Sequence, residues 1–327
     1  MKKLIALFLT LTLSTLAFVS CAPDKAGQQK ISVAYLAGPT GMGMAKLIKD
    51  TPADSEKYAF TAFTDPNTAA SELLSGKVDM ACLPTNAAAN LFNKGKDISV
   101  IAVNTLGSLY LITDKNTSIE SIKDLEGKTI YTSVPGSTTE PILKHILEKN
   151  QVNATIDTTA KDHDVLVEKV VTSEGEMIAV LPEPKVSATI LQAKTQGKEF
   201  SVKLNLSKEW EKVSDQPLAM GCIVVRNDFL KANKAAVNEF LKDYKTSVDF
   251  IAATENLEAA AQTIVDTGII PKPPLAKSAL KNLSGSIVLI TGQEMKDTLV
   301  AFYGVLLKSS SATVGGKQPD TAFYYDK

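Results

Sequence analysis

An α/β fold of two similar lobes with a central cleft and two crossing segments is what this 327-residue chain predicts, on three observations. Strand-like apolar runs alternate with helix-like runs from Ile31 onward, the rhythm of an open parallel sheet covered on both faces. The alternation then repeats with shared landmarks. Pro39 to Pro135 spans 96 positions and Leu83 to Leu181 spans 98, as two related units would. Finally, the last hundred or so residues are mostly helical and pack most simply back on the first unit. The chain would then cross between lobes twice, near Thr105 to Tyr110 and near Gln216 to Gly221, and two crossings make a hinge.

In order, ISVAYLA leads into MGMAKLIKD, YAFTAF into PNTAASELLSG and VDMACL into TNAAANLFNKG, with ISVIAVN closing the first set. The second set pairs KTIYTSV with TTEPILKHILEKN, NATIDTTA with DVLVEKVVTSEG and MIAVL with PKVSATILQAK. Gly and Pro punctuate each junction. LAMGCIVVR reads as a return strand, and beyond Asn227 the pattern is helical with no strand set of its own. The expected division is residues 31–107 with 220–327 as lobe I and 108–219 as lobe II.

The opening MKKLIALFLTLTLSTLAFVSC has Lys2 and Lys3, then an apolar run, then Ser20-Cys21, which reads as an export signal over residues 1–20 rather than a spanning helix. Its end resembles a bacterial lipoprotein signal, which implies that Cys21 becomes the first mature residue and carries lipid, palmitate among its acyl chains. Phe18 departs from the Leu usual there. Residues 21–30, polar and small after the Cys, suit a tether between anchor and folded body.

A formal charge of −1 and the lack of a basic stripe with interleaved aromatics leave nothing to hold a nucleic acid. Cys82 and Cys222 sit in apolar strand-like runs and read as buried thiols, with no metal spacing or disulfide framework, though export leaves a pairing open. His145 lies inside a helix run. His163, between Asp162 and Asp164, reads as part of a solvated helix start. No cofactor, metal or catalytic residue is expected.

GPTGMG follows the first strand but is no nucleotide loop. A phosphate loop needs Lys directly after Gly43, and the dinucleotide fingerprint needs Gly where Lys46 stands. What remains is a Gly-rich bend at a strand's carboxyl end, where backbone amides can face a crevice. The candidate ligand contacts there are Pro39, Thr40, Gly41, Met42 and Gly43. Other strand-end loops add Phe63, Thr64 and Asp65; Pro84, Thr85 and Asn86; and Leu106 and Tyr110. In the second unit, Ser137, Thr138 and Thr139 offer hydroxyls, while Ser137 and Glu140 fit a capping box. Glu183 and Pro184 follow the strand MIAVL, and the rigid Leu-Pro-Glu-Pro makes Glu183 the first choice for a polar anchor.

Taken in order, the Cys21 signal, GPTGMG, SGKVDMACLPTNAA, SIESIKDLEGKTIYTSVPGSTTEPIL, AVLPEPKVSATI and GGKQPDTAFYY resemble the solute-binding lipoproteins of ATP-driven importers. The group is the one that includes nitrate, sulfonate, taurine and thiamine-precursor binding proteins. The resemblance covers essentially the whole mature chain. It implies a type II periplasmic-binding-protein fold, a monomer outside the cytoplasm and lipid-anchored, and an ABC permease with its ATPase as partners. Arg226 is the only arginine, and the candidate loops contain no Lys or Arg, so the crevice reads as neutral to acidic. The expected ligand is therefore a small neutral or amine-bearing molecule, heterocyclic in the manner of a thiamine precursor. The alternatives are a nitrate-, sulfonate- or taurine-type anion in the same fold, a ligand sensor, and a precursor-synthesising enzyme on the same scaffold.

Overall fold

The computed structural model describes residues 30–135 and 137–326. The export signal, Cys21 and all of the tether except Lys30 lie outside the described residues. The first unit runs β1 Ile31–Leu36, α1 Pro39–Met42, α2 Ala45–Asp50, β2 Tyr58–Phe63, α3 Pro66–Leu74, β3 Met80–Pro84, α4 Thr85–Asn93 and β4 Ile98–Leu106. The second runs β5 Leu109–Asp114, β6 Thr129–Ser133, α5 Thr139–Lys149, β7 Thr155–Ala160, α6 His163–Thr172, β8 Ile178–Pro182, α7 Lys185–Thr195, β9 Phe200–Asn205 and α8 Leu206–Glu211. After these come β10 Ala219–Arg226, α9 Asn227–Ala232, α10 Lys234–Ala252, α11 Leu257–Asp266, α12 Pro273–Asn282, β11 Ile287–Ile290 and α13 Gly292–Ser310.

The strands form two sheets, ordered β11-β4-β10-β3-β1-β2 and β7-β6-β8-β5-β9, one per lobe. Their schemes match. β1 lies parallel between β2 and β3, as β6 lies between β7 and β8. An antiparallel strand, β10 in lobe I and β5 in lobe II, then separates the third strand from the fourth. The sheets are thus mixed, not parallel throughout. The reason is the connection: only Gly107 and Ser108 separate β4 from β5, far too few residues for a parallel crossover within one sheet, so the chain leaves for the other lobe. It returns between α8 and β10.

The tail departs from its sequence reading in two ways. It contributes a strand, β11, antiparallel on the edge of β4. It also touches both lobes, since α12 packs on α7 and α13 on α5. The buried face of α13 (Met295, Leu299, Phe302, Leu306) belongs to one apolar cluster that continues into lobe II through Leu206 and Trp210. The Trp210 and Phe302 ring centroids lie 5.9 Å apart. At roughly 2 kcal/mol per buried large side chain, this wedge ties the lobes together on one flank. Cys82 and Cys222 are buried free thiols on adjacent strands but in different apolar clusters, on opposite faces of the lobe I sheet.

Candidate ligand cleft

Between the lobes lies a cleft of about 550 Å³, within the usual range for small-ligand sites. Its walls are the carboxyl ends of corresponding strands. Lobe I supplies Leu36 to Thr40 after β1, Thr64, Pro66 and Asn67 around the end of β2, and Pro84, Asn86 and Ala87 around the end of β3. Lobe II supplies Val134, Pro135 and Ser137 to Thr139 after β6, His163 after β7, and Pro182 to Lys185 at the end of β8. Thr105, Ser108, Leu109 and Met220 come from the two crossings. A hollow of about 640 Å³ at the far end of lobe II is a different kind of place. It belongs to one lobe, and its charges are spent on one another, as in Lys115–Glu199 at 3.2 Å and Lys128–Glu176 at 2.6 Å.

Of the residues singled out in the sequence, Pro39, Thr40, Thr64, Pro84, Asn86, Ser137, Thr138, Thr139, Glu183 and Pro184 line the cleft. Gly41, Met42, Gly43, Phe63, Asp65, Thr85, Leu106 and Tyr110 do not. Met42 is fully buried in the core of lobe I. Tyr110 is 2% exposed, and its hydroxyl donates to the carbonyl of Asn282 on α12. The alternation of β5 explains this, because neighbouring residues face opposite ways and Leu109 is the one at the cleft. Phe63 and Leu106 pack against the apolar cluster shared by the lobes. Thr85 donates to the carbonyl of Ala219 at 2.8 Å. Asp65 is the N-cap of α3, accepting from the Asn67 and Thr68 amides at 3.2 and 3.1 Å.

Two of the three glycines of GPTGMG, Gly41 and Gly43, serve packing. A Cβ on Gly41 would stand 2.2 Å from the Leu36 carbonyl oxygen, and one on Gly43 would stand 2.6 Å from the Tyr244 hydroxyl. The amides of Gly41 and Met42 donate back to Gly38 O, so the loop does not hold out a row of free N–H groups. Thr40 is held from behind. Asn104 Nδ2 donates to its carbonyl at 2.9 Å, Thr105 donates to Asn104 Oδ1 at 3.1 Å, and a Cβ on Gly221 would meet the Thr40 methyl at 2.4 Å. Asn104 carries no sequence signal beyond being a polar residue in an otherwise apolar strand.

In lobe II the capping box is not formed. α5 begins at Thr139 with Thr138 as N-cap and no side-chain cap, and Glu140 pairs with Lys144 at 2.7 Å. Among the described residues the buried Ser137 hydroxyl has no partner. Glu183 departs further from expectation. It is 1% exposed, and its carboxylate accepts from Asn282 Nδ2, from Ser187 Oγ at 3.0 Å and from the Ser187 amide at 3.4 Å. Ser187 also bonds Ser278 Oγ at 2.9 Å. Because Asn282 and Ser278 belong to α12, these bonds join the lobes. Burial raises the Glu183 pKa above the usual carboxylate range, partly offset by those donors.

Of the cleft residues outside the expected set, two are titratable. Lys185 directly follows Leu-Pro-Glu-Pro and pairs with Asp164. His163 is half-buried and sits 2.7 Å from Ser133 Oγ through Nδ1. Burial first, then the nearby Lys185 charge, lowers its pKa, with Asp164 and Asp162 opposing. The wall therefore carries cationic and titratable groups, a correction to the reading of a crevice free of Lys and of a solvated His163. The missed signal was the repeat itself: Asp65 and Asp162, 97 positions apart, are both N-caps after the corresponding strands β2 and β7. Arg226 is elsewhere, at the other end of β10, roughly 17 Å of strand from Gly221 and within 3.4 Å of Asp79. Among the described residues no group of three or more His, Cys, Asp or Glu is placed to hold a metal ion.

No curated protein sequence matches the chain. Among solved structures, an ABC transporter protein from Parabacteroides distasonis superposes with a TM-score of 0.76 at 20% identity, covering 91% of this chain and 99% of that one. The periplasmic aliphatic sulphonate binding protein of Escherichia coli gives 0.69 at 14%, covering 89% and 93%. The periplasmic nitrate-binding protein of Synechocystis PCC 6803 gives 0.58 at 13%, covering 88% and 84%. At such identities the likeness is one of fold, the two-lobed fold of periplasmic binding proteins. The NMT1/THI5-like sequence model matches residues 58–256, more than half of the sequence, and the chain belongs to the NMT1/THI5-like family.

Proposed function

We propose that this protein is the extracytoplasmic solute-binding component of an ABC importer, capturing a small molecule by closure of its two lobes and delivering it to a permease. The observation that carries the reading is the cleft, walled by the carboxyl ends of corresponding strands from both lobes, so that one ligand can touch both. Closure is favoured by a ligand whose contacts to the two walls exist together only when the lobes are shut. Partner recognition and lipid attachment at Cys21 belong to the same proposal, which assigns no catalytic residue.

The ligand class we favour is neutral or amine-bearing and heterocyclic, as a thiamine precursor is. Lobe I offers hydroxyls, amides and prolines without a charged side chain, Lys185 is paired with Asp164, and Arg226 lies outside the cleft. Lys185 also favours a second reading, an anion such as a sulfonate or nitrate. Calorimetric titration with an aminopyrimidine, taurine and nitrate decides between them. Micromolar affinity for the aminopyrimidine alone is the expected result. Affinity for taurine or nitrate that falls at least about tenfold in Lys185→Met would establish the anion reading. The molecule released when freshly isolated protein is denatured, identified by mass spectrometry, checks either.

A further inference from the structure

We propose that His163 is the residue of lobe II that reads the ligand, presenting its Nε2 to a hydrogen-bonding heteroatom of the bound molecule beside the Ser137 hydroxyl. The inference rests on the binding reading above and deepens it. The ring is oriented, because Nδ1 is engaged by Ser133 Oγ at 2.7 Å and Ser133 is 3% exposed, behind the imidazole. A hydroxyl so placed is a positioning group and not a nucleophile open to the cleft. Among the described residues Nε2 has no protein partner and is not among the buried unpartnered atoms, so it keeps accessible surface on a residue that lines the cleft. On the same wall the Ser137 hydroxyl is buried and, among the described residues, unpartnered, a cost that a ligand polar atom would relieve once the side chain turns to the cleft.

The imidazole is suited to the task in its neutral form, in which one ring nitrogen donates and the other accepts. Whichever role Ser133 takes at Nδ1, Nε2 takes the matching one toward the ligand. The position disfavours the imidazolium on three grounds: burial, the Lys185 ammonium from α7, and the positive end of the ten-residue α6 that His163 begins. Asp162 and Asp164 on α6 act the other way, and Glu183 at the end of β8 is engaged by Asn282 and Ser187.

The chain contains two histidines, which makes the test direct. His145 is the internal control, its ring tilted against Trp210 with centroids 5.0 Å apart and outside the cleft. The full protein, stripped of ligand and labelled with 15N at histidine, is titrated with the small molecule it releases on denaturation. If none is released, an aminopyrimidine, taurine and nitrate are used. The expected result is a shift of the His163 Nε2 resonance with His145 unmoved. Affinity should fall about tenfold to a hundredfold in His163→Phe and be largely restored in His163→Gln. Wild-type affinity should fall as pH drops through the lowered His163 pKa, which lies below the ordinary histidine value, while His163→Gln stays flat. Binding that leaves Nε2 unmoved and His163→Phe unimpaired overturns this inference and leaves the binding reading intact. Failure of every probe to bind overturns both. Should His163→Phe not fold, the resonance shift and the His163→Gln pH profile are sufficient to decide.

Discussion

The two walls of the cleft are built on one strand scheme and use it differently. Lobe I brings Thr40, Thr64, Asn67, Pro84 and Asn86 to the cleft, all uncharged, and holds Thr40 from behind through Asn104 and Gly221. Lobe II brings Ser137, Thr138, His163 and Lys185, with Glu183 turned into the junction with α12. Equivalent backbone positions thus carry uncharged groups on one side and titratable and charged groups on the other. A duplicated scaffold fixes where loops arrive, and the residue on each loop decides what it does there.

The comparison breaks hardest at packing in lobe I. Gly41→Ala and Gly221→Ala each place a Cβ where no atom fits, at 2.2 Å from Leu36 O and 2.4 Å from the Thr40 methyl. We expect a loss of about 1–3 kcal/mol from each by urea unfolding, and weaker ligand binding as Thr40 is displaced. Unchanged unfolding midpoints would show that this wall is pliable and that the contrast with lobe II is not one of rigid shape.

A similar effect is expected at Glu183, where the cause is polar. Glu183→Ala leaves Asn282 Nδ2 and Ser187 Oγ short of an acceptor, a loss of about 1–3 kcal/mol. Glu183→Gln keeps an acceptor oxygen and removes the carboxyl whose charged form burial disfavours. Since the folded pKa is raised, the carboxyl's contribution is full below the unfolded value near 4.3 and is lost as pH rises through the folded value. Glu183→Gln should therefore be destabilised far less than Glu183→Ala at pH 7, and should flatten that part of the stability profile. Equal losses in the two variants would mean that the carboxylate charge itself holds α12.

For histidine the sign reverses. His163 and His145 both have lowered pKa values, burial being the leading cause for each. Their contribution is present above the unfolded value near 6.5 and is lost as pH falls toward the folded values, because the unfolded chain takes up protons first. Comparing wild type, His163→Gln and His145→Gln by thermal melting between pH 7.5 and pH 5 apportions this loss. A decline untouched by His163→Gln would show that the lobe II wall is more open to water than the lobe I core beside it.

How much of this was legible follows from the same contrast. Strands bounded by Gly and Pro, the repeat offset and the two crossings all leave local marks, and the loops after β1, β3, β6 and β8 were located as loops. The strand β11 escaped because Ile287–Ile290 is a short edge strand embedded among helices, and β9 because SVKLN is half polar. At the site, loop position was readable and side-chain direction was not. Met42 and Thr40 share the short helix α1, yet the apolar member turns into the core. Glu183 sits at the expected strand end, yet α12, more than 90 residues away, captures its carboxylate. Such partners are set by tertiary packing, which neither periodicity nor punctuation encodes.

The finest form of the comparison pairs two helix caps. Asp65 caps α3 through the Asn67 and Thr68 amides and the Thr68 hydroxyl at 2.8 Å, and Asp162 caps α6 through the Val165 amide at 2.9 Å. Replacing either by Ala removes an N-cap worth about 1 kcal/mol, so Asp65→Ala and Asp162→Ala should shift the unfolding midpoint by similar small amounts. Their effects on ligand binding should differ. The residue after Asp162 is His163, whose ring direction depends on how α6 begins, whereas Pro66, after Asp65, has no polar side chain to aim. Asp162→Ala should therefore weaken binding several-fold more than Asp65→Ala does. Equal effects on affinity would place the recognition chemistry in both walls alike.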